Sequence, residues 1–131
     1  DAEGASKKIK IKVSKAKNIE QARSIAFTVA ESPLVKTAMF GSDANWGRIL
    51  SAIGRDKTLD DIDKVQIKLN NQPLVKKGYI DSKYSEKLAS KAMRKKEIFI
   101  DINLGQGQKT FEVLTSDLSE DYVLINSDYR S

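Results

Sequence analysis

Histidine and cysteine are both absent from the 131 residues. Without cysteine there is no disulfide, no thiolate zinc site and no iron–sulfur cluster. Without histidine the commonest general base and the commonest metal ligand go together. Any chemistry here must fall to carboxylates, hydroxyls, lysines or backbone groups. Proline occurs twice and tryptophan once, so helices and strands are seldom interrupted. No run approaches the ~18 apolar residues of a membrane span. The opening stretch "DAEGASKK" has no apolar signal region and does not start with Met, so a cytoplasmic chain, or a piece of a longer one, is expected.

What remains is ordinary for a folded domain. Hydrophobic residues make up 40% and charged residues 31%, and the net charge is +5. A length of 131 residues fits a single domain, 1–131, with one core. The mild basicity permits nucleic acid as a partner and equally permits small anions.

Residues 7–15 alternate Lys8, Lys10, Lys12 against Ile9, Ile11, Val13, the pattern of a half-buried strand with a lysine face. Asn18 followed by Gln21 forms a capping box ahead of Ile19, Ala22, Ile25, Ala26 and Val29 at helical spacing. Ser32-Pro33 ends or kinks that helix. Residues 34–41 are apolar, ambiguous between helix and strand, and closed by Gly41. Trp46, Ile49, Leu50 and Ile53 make one helical stripe, with Asp43 as the expected N-cap and Gly54 as the expected C′ residue. A charged loop covers 55–63. Strands are expected at 64–69 and 74–80 around the turn "NNQP". Ser85 caps a helix whose inner face is Leu88, Ala89, Ala92 and Met93. Strands 97–104 and 109–115 flank "GQGQ", which reads as a hairpin turn. Asp117 or Ser119 is then expected to cap a last short helix. The order β-α-α-β-β-α-β-β-α predicts an α+β fold: a mixed, largely antiparallel sheet with helices packed on it.

Few features could carry chemistry. The lysine strip fits nucleic acid, but no aromatic side chain interleaves with it as a stacking platform. A solvated or edge strand is the reading preferred. "LGQGQ" lacks the third glycine of a dinucleotide loop and the Gly-Lys of a P-loop. Asp60, Asp61 and Asp63 lack the glycine and terminal glutamate of a calcium loop. Glu3 either reaches over the sheet end to a cationic group or belongs to a frayed terminus. In "SDANWGRIL" (42–50), Trp46 and Arg48 either pack and snorkel, or help a helix N-terminus hold an anion.

Four stretches carry a family resemblance: "DAEGASK" (1–7), "SPLVKTAMFGSDANWGRILSAIGR" (32–55), "DINLGQG" (101–107) and "DLSEDYVLINSDYRS" (117–131). In this order they resemble the C-terminal part of the ornithine acetyltransferases, or glutamate N-acetyltransferases, of arginine biosynthesis. The family pattern differs at four of the quoted positions. Ala2 stands for glycine, Ser6 for threonine, Ala44 for proline and Ser131 for threonine.

The resemblance implies transfer of acetyl from N-acetylornithine to glutamate through an acetyl ester on a threonine. That threonine is the N-terminus of a β chain formed by self-cleavage, and its amino group serves as base. Some members also accept acetyl-CoA as donor. The nucleophile and the oxyanion pair of the α chain lie upstream of the D-G-E-G motif and have no counterpart in these residues, so this stretch alone is expected to be inactive. By the resemblance, Glu3, Asn126 and Ser131 bind substrate. A carboxylate suits a cation, and an amide and a hydroxyl suit polar ends. The implied partners are the α chain and the rest of the β chain, in an oligomeric enzyme with no cofactor, metal, nucleic acid or membrane. A non-catalytic amino-acid- or partner-binding module of the same fold stands as the alternative, and a basic nucleic-acid-binding domain as a third.

Overall fold

The computed structural model describes residues 7–118 and 122–127. One seven-stranded sheet runs β4-β3-β2-β5-β1-β6-β7. The strands are β1 (Lys8–Ala16), β2 (Gln66–Leu69), β3 (Gln72–Lys76), β4 (Tyr79–Ile80), β5 (Glu97–Asn103), β6 (Lys109–Ser116) and β7 (Val123–Ser127). Only the β1–β5 pairing is parallel, so the mixed, largely antiparallel sheet expected from the sequence is what forms.

Helices α1 (Ile19–Glu31), α2 (Pro33–Phe40), α3 (Trp46–Gly54) and α4 (Glu86–Met93) cover one face of the sheet. That face is built from every second residue. Ile9, Ile11 and Val13 of β1, Ile98, Ile100 and Ile102 of β5, and Phe111 and Val113 of β6 are all buried. Against them α1 sets Ala22, Ile25, Ala26 and Val29, all fully buried. The isoleucines and valines of the strands suit a pleated, half-buried surface.

Local chemistry explains most boundaries. Asn18 caps α1 by accepting from Gln21 N–H at 2.8 Å. The Gln21 side chain reaches back to Lys17 N–H at 2.8 Å, one residue beyond the cap itself. Ser32 both ends α1 and caps α2, its hydroxyl accepting from Val35 N–H at 3.3 Å, and Pro33 occupies the first helical position. The ambiguous stretch 34–41 is therefore helix. Asn70 and Asn71, with φ of 47° and 67°, make the tight turn between β2 and β3.

Several expectations change. The stretch 74–80 is two strands, because Lys77 and Gly78, at φ of 54° and 71°, fold the chain back on itself. Asn45, not Asp43, caps α3, with its Oδ1 accepting from Arg48 N–H at 3.1 Å. Asp43 instead accepts from Asn45 Nδ2 at 3.1 Å. Gly54 is the last residue of α3 and Arg55 its C-cap. Leu88 is 49% exposed, since α4 is short and turns only Ala89, Ala92 and Met93 inward.

"GQGQ" is not a hairpin turn. β1 lies between β5 and β6, and the loop crosses over its end. Gln106 and Gly107 both donate their N–H groups to the Lys15 carbonyl, at 2.8 and 2.9 Å. A Cβ on Gly107 would stand 2.4 Å from the Ala16 carbonyl oxygen, so only glycine lets the loop pass this closely. Finally, the expected C-terminal helix is replaced by edge strand β7, paired with β6. The expected cap Asp117 bonds to Lys7 instead, and Ser119 lies outside the described residues.

Candidate functional site

Among the described residues the second face of the sheet carries no helix. Its side chains form rows across the strands. Lys8 stands opposite Glu97 and Ser116. Lys10 stands between Phe99 and Leu114, its Nζ 4.4 Å from the Phe99 ring centre. Lys12 stands between Asp101 and Glu112, and Lys68 continues that row beyond Asp101. The lysine strip of β1 is thus flanked by carboxylates on both neighbouring strands. Carboxylates at these cross-strand positions reduce the positive field a polyanion would meet on this face.

A shallow groove of about 650 Å³ opens on this face beside the β2–β3 turn, lined by Asn70, Asn71, Lys95, Lys96, Glu97, Phe99 and Asp101. It mixes both signs of charge. Among the described residues no three acidic side chains stand together as a metal site.

A densely bonded polar group stands at the head of β1. Lys7 Nζ donates to the Met39 carbonyl at 2.8 Å, the Met93 carbonyl at 2.6 Å and Ser42 Oγ at 2.5 Å. Met39 is in the last turn of α2 and Met93 ends α4, so two of the acceptors sit at the negative ends of helices. Ser42, at φ 56°, opens the 42–50 stretch. Burial pushes the Lys7 amine below the ordinary lysine range, with the Asp117 carboxylate pulling the other way. All three contacts are donations from the amine and need its protons. The geometry is a three-way tie and not a Ser–Lys base pair.

The backbone closes the same node. Lys7 N–H donates to Asp117 Oδ1 at 2.8 Å, and Asp117 N–H returns to the Lys7 carbonyl at 3.4 Å. Asp43 and Glu86 flank Tyr84, whose phenol is pushed up by burial first and by those two carboxylates next. Three of the four stretches that carry the family resemblance therefore meet here: 1–7 through Lys7, 32–55 through Met39 and Ser42, and 117–131 through Asp117. The fourth, 101–107, lies at the opposite end of β1.

Within the 42–50 stretch, Trp46 is half-buried against the core. Arg48 Nη1 donates to the Leu34 carbonyl at 3.0 Å and clips α3 to α2. Trp46 packs on the core and Arg48 ties two helices, contacts that leave both sequence readings of the stretch open.

Of the three expected substrate residues, Glu3 and Ser131 lie outside the described residues. Asn126 lies in β7 with its backbone opposite Glu112, and its side chain is outside the described residues. Sequence reasoning missed Lys7, Ser42 and Asp117 as a unit. The only sequence signal was that each falls in a stretch shared with the family.

A second buried carboxylate, Asp56, accepts from Ser24 Oγ at 2.8 Å, Thr28 Oγ1 at 2.7 Å, and the Thr58 hydroxyl and N–H at 2.5 and 2.9 Å. Burial pushes its pKa up, but the bonds from Thr58, Thr28 and Ser24 together bring it below the usual carboxylate value. Its partners are all structural. It ties α1 to the loop after α3.

Comparison with known proteins agrees across the whole length. The model of the ArgJ family matches residues 1–131. The arginine biosynthesis bifunctional protein ArgJ of Methylococcus capsulatus is 48% identical over 100% of the chain and 32% of its own length. The protein of the same name from Desulfotalea psychrophila is 47% identical over 100% of the chain and 33% of its own. The crystal structure of arginine biosynthesis bifunctional protein argJ from Bacillus halodurans superposes with a TM-score of 0.81 at 33% identity. It covers 91% of this chain and 56% of that one. The chain spans about a third of the length of the curated relatives it matches.

Proposed function

The chain belongs to the ArgJ family, and from that membership we propose that it is the carboxy-terminal domain of a cytoplasmic glutamate N-acetyltransferase. The reaction moves acetyl from N-acetylornithine to glutamate. A threonine hydroxyl attacks the acetyl carbonyl and the amide C–N bond breaks. Ornithine leaves with the proton on its amine. The glutamate amine then attacks the ester, the ester C–O bond breaks, and the proton returns to the threonine oxygen.

Neither that threonine nor the oxyanion pair has a counterpart in these residues. The role of this domain is to bind substrate and position it. Glu3 receives the cationic side chain of ornithine, while Asn126 and Ser131 hydrogen-bond polar ends. Its partners are the α chain and the rest of the β chain, within an oligomer.

The observation that carries this reading is the family match over residues 1–131. The meeting of three family stretches at Lys7 supports it, because a shared site explains why distant segments are held together. The balanced charge of the lysine face weighs against a nucleic-acid-binding domain.

The test joins this chain to the upstream two thirds of the Methylococcus capsulatus relative and follows ornithine release from N-acetylornithine with glutamate present. The joined protein is expected to turn over, and the 131-residue chain alone is not. Turnover by the chain alone, or none by the joined protein, refutes the proposal.

A further inference from the structure

The geometry points to Lys7 and Asp117 as a clamp that positions the substrate-binding segments, an inference that rests on the acetyltransferase reading above. Lys7 is a positioning residue and touches no substrate. It is four residues from Glu3, a span of at most about 14 Å of extended chain. Asp117 opens the segment that runs to Asn126 and Ser131. The two residues bond each other reciprocally through Lys7 N–H to Asp117 Oδ1 at 2.8 Å and Asp117 N–H to the Lys7 carbonyl at 3.4 Å. The two segments carrying the proposed substrate side chains are thus fastened together at one point.

That point is itself fixed. The Lys7 amine is held by acceptors from three different places, Met39 in α2, Ser42 beyond it and Met93 in α4. Met39 and Met93 are fully buried. Each bond is charge-assisted, and the three directions leave the amine no alternative rotamer that keeps them all. Asp117 is itself buried, and its Oδ1 accepts from the Lys7 backbone. A spacing held this way is set by the core and not by the segments themselves. A strand-head lysine that only solubilised the sheet would need none of these partners.

Lys7→Met and Asp117→Asn test the clamp, with Asp56→Asn as a control that weakens the fold far from the clamp. In the joined enzyme, Lys7→Met is expected to raise KM for N-acetylornithine about tenfold with kcat per acetylatable threonine nearly unchanged, the signature of lost substrate binding. Asp56→Asn is expected to lower the number of active sites and leave KM alone. In the 131-residue chain, both clamp variants are expected to speed amide exchange at Lys7 and Asp117, while Ile11 and Ile100 in the central strands stay protected.

The inference is overturned if Lys7→Met behaves as Asp56→Asn does, or if exchange at Lys7 and Asp117 is unchanged. Should Lys7→Met fail to fold, Asp117→Asn keeps the amine and carries the same two readouts. Failure of the unsubstituted joined enzyme to turn over overturns the acetyltransferase reading and this inference with it. It is told apart because it appears before any substitution is made.

Discussion

Replacing Asp56 with alanine removes the acceptor of four hydrogen bonds at once. Asp56 is 8% exposed, so the orphaned donors do not all regain water. A hydrogen bond to a charged group contributes about 1.5–3 kcal/mol. Partial rehydration and reorientation of the Ser24, Thr28 and Thr58 hydroxyls return part of that sum, which puts the loss for Asp56→Ala at about 3 kcal/mol. The unfolding entropy of a domain this size is about 0.28 kcal/mol/K, so the Tm drops by about 11 °C. Asp56→Asn keeps one acceptor oxygen and the shape, and is expected to lose about half as much. The pH dependence separates the two effects. The folded pKa of Asp56 is depressed, so its ionised form adds stability that is complete above the unfolded carboxylate value of about 3.9. That contribution drains away as the pH falls below this value and through the folded pKa. The gap between parent and Asp56→Asn should therefore narrow as the pH falls from 5 toward 2. Urea unfolding followed by the fluorescence of Trp46, the single tryptophan, measures both. An alanine variant within about 0.5 kcal/mol of the parent would refute the argument. So would an asparagine variant whose gap from the parent stays constant down to acid pH.

Further predictions concern the corrected boundaries. Asn45→Ala should cost about 1 kcal/mol as a lost helix cap, while Asp43→Ala should stay within about 0.5 kcal/mol, and equal effects would return the cap to Asp43. Gly107→Ala should lower stability by about 2 kcal/mol or more, because its Cβ meets the Ala16 carbonyl oxygen at 2.4 Å. Gly41→Ala serves as its control: the added Cβ lies 3.5 Å from the Thr37 carbonyl oxygen at a φ of −83°, and the urea midpoint should hardly move.

The local elements were legible wherever a pattern and a cap coincided. Residues 8–13 alternate cleanly, and Asn18 and Ser85 start helices as their side chains predict. The errors lie where neighbours in sequence are not neighbours in space. Strands 97–103 and 109–116 are separated by a short glycine-bearing loop, which ordinarily means a hairpin. Only pairing over some ninety residues reveals that β1 is inserted between them. Val123, Leu124 and Ile125 are consecutive apolar residues without period, and all three stay exposed on an edge strand, so no face betrayed the strand. Lys7 was invisible as a node for a similar reason. A lysine next to an alternating run reads as its surface face, and nothing local shows that carbonyls 32 and 86 residues away converge on it. The motif stretches were legible as a family mark, but the partners they meet were not.

The insertion of β1 between β5 and β6 has a kinetic consequence. Within this domain, β1 has no sheet partner until Glu97–Ser116 has been synthesised. At translation rates of about 5–20 residues per second, Ile9, Ile11 and Val13 wait about 5–20 s with their apolar side chains unpaired. Helices α1 to α3 form by local contacts in the meantime, before the β1–β6 surface that α1 docks on exists. Closure of the central three strands is then a single late event, and synthesis interrupted anywhere before residue 97 leaves β1 unpaired and aggregation-prone.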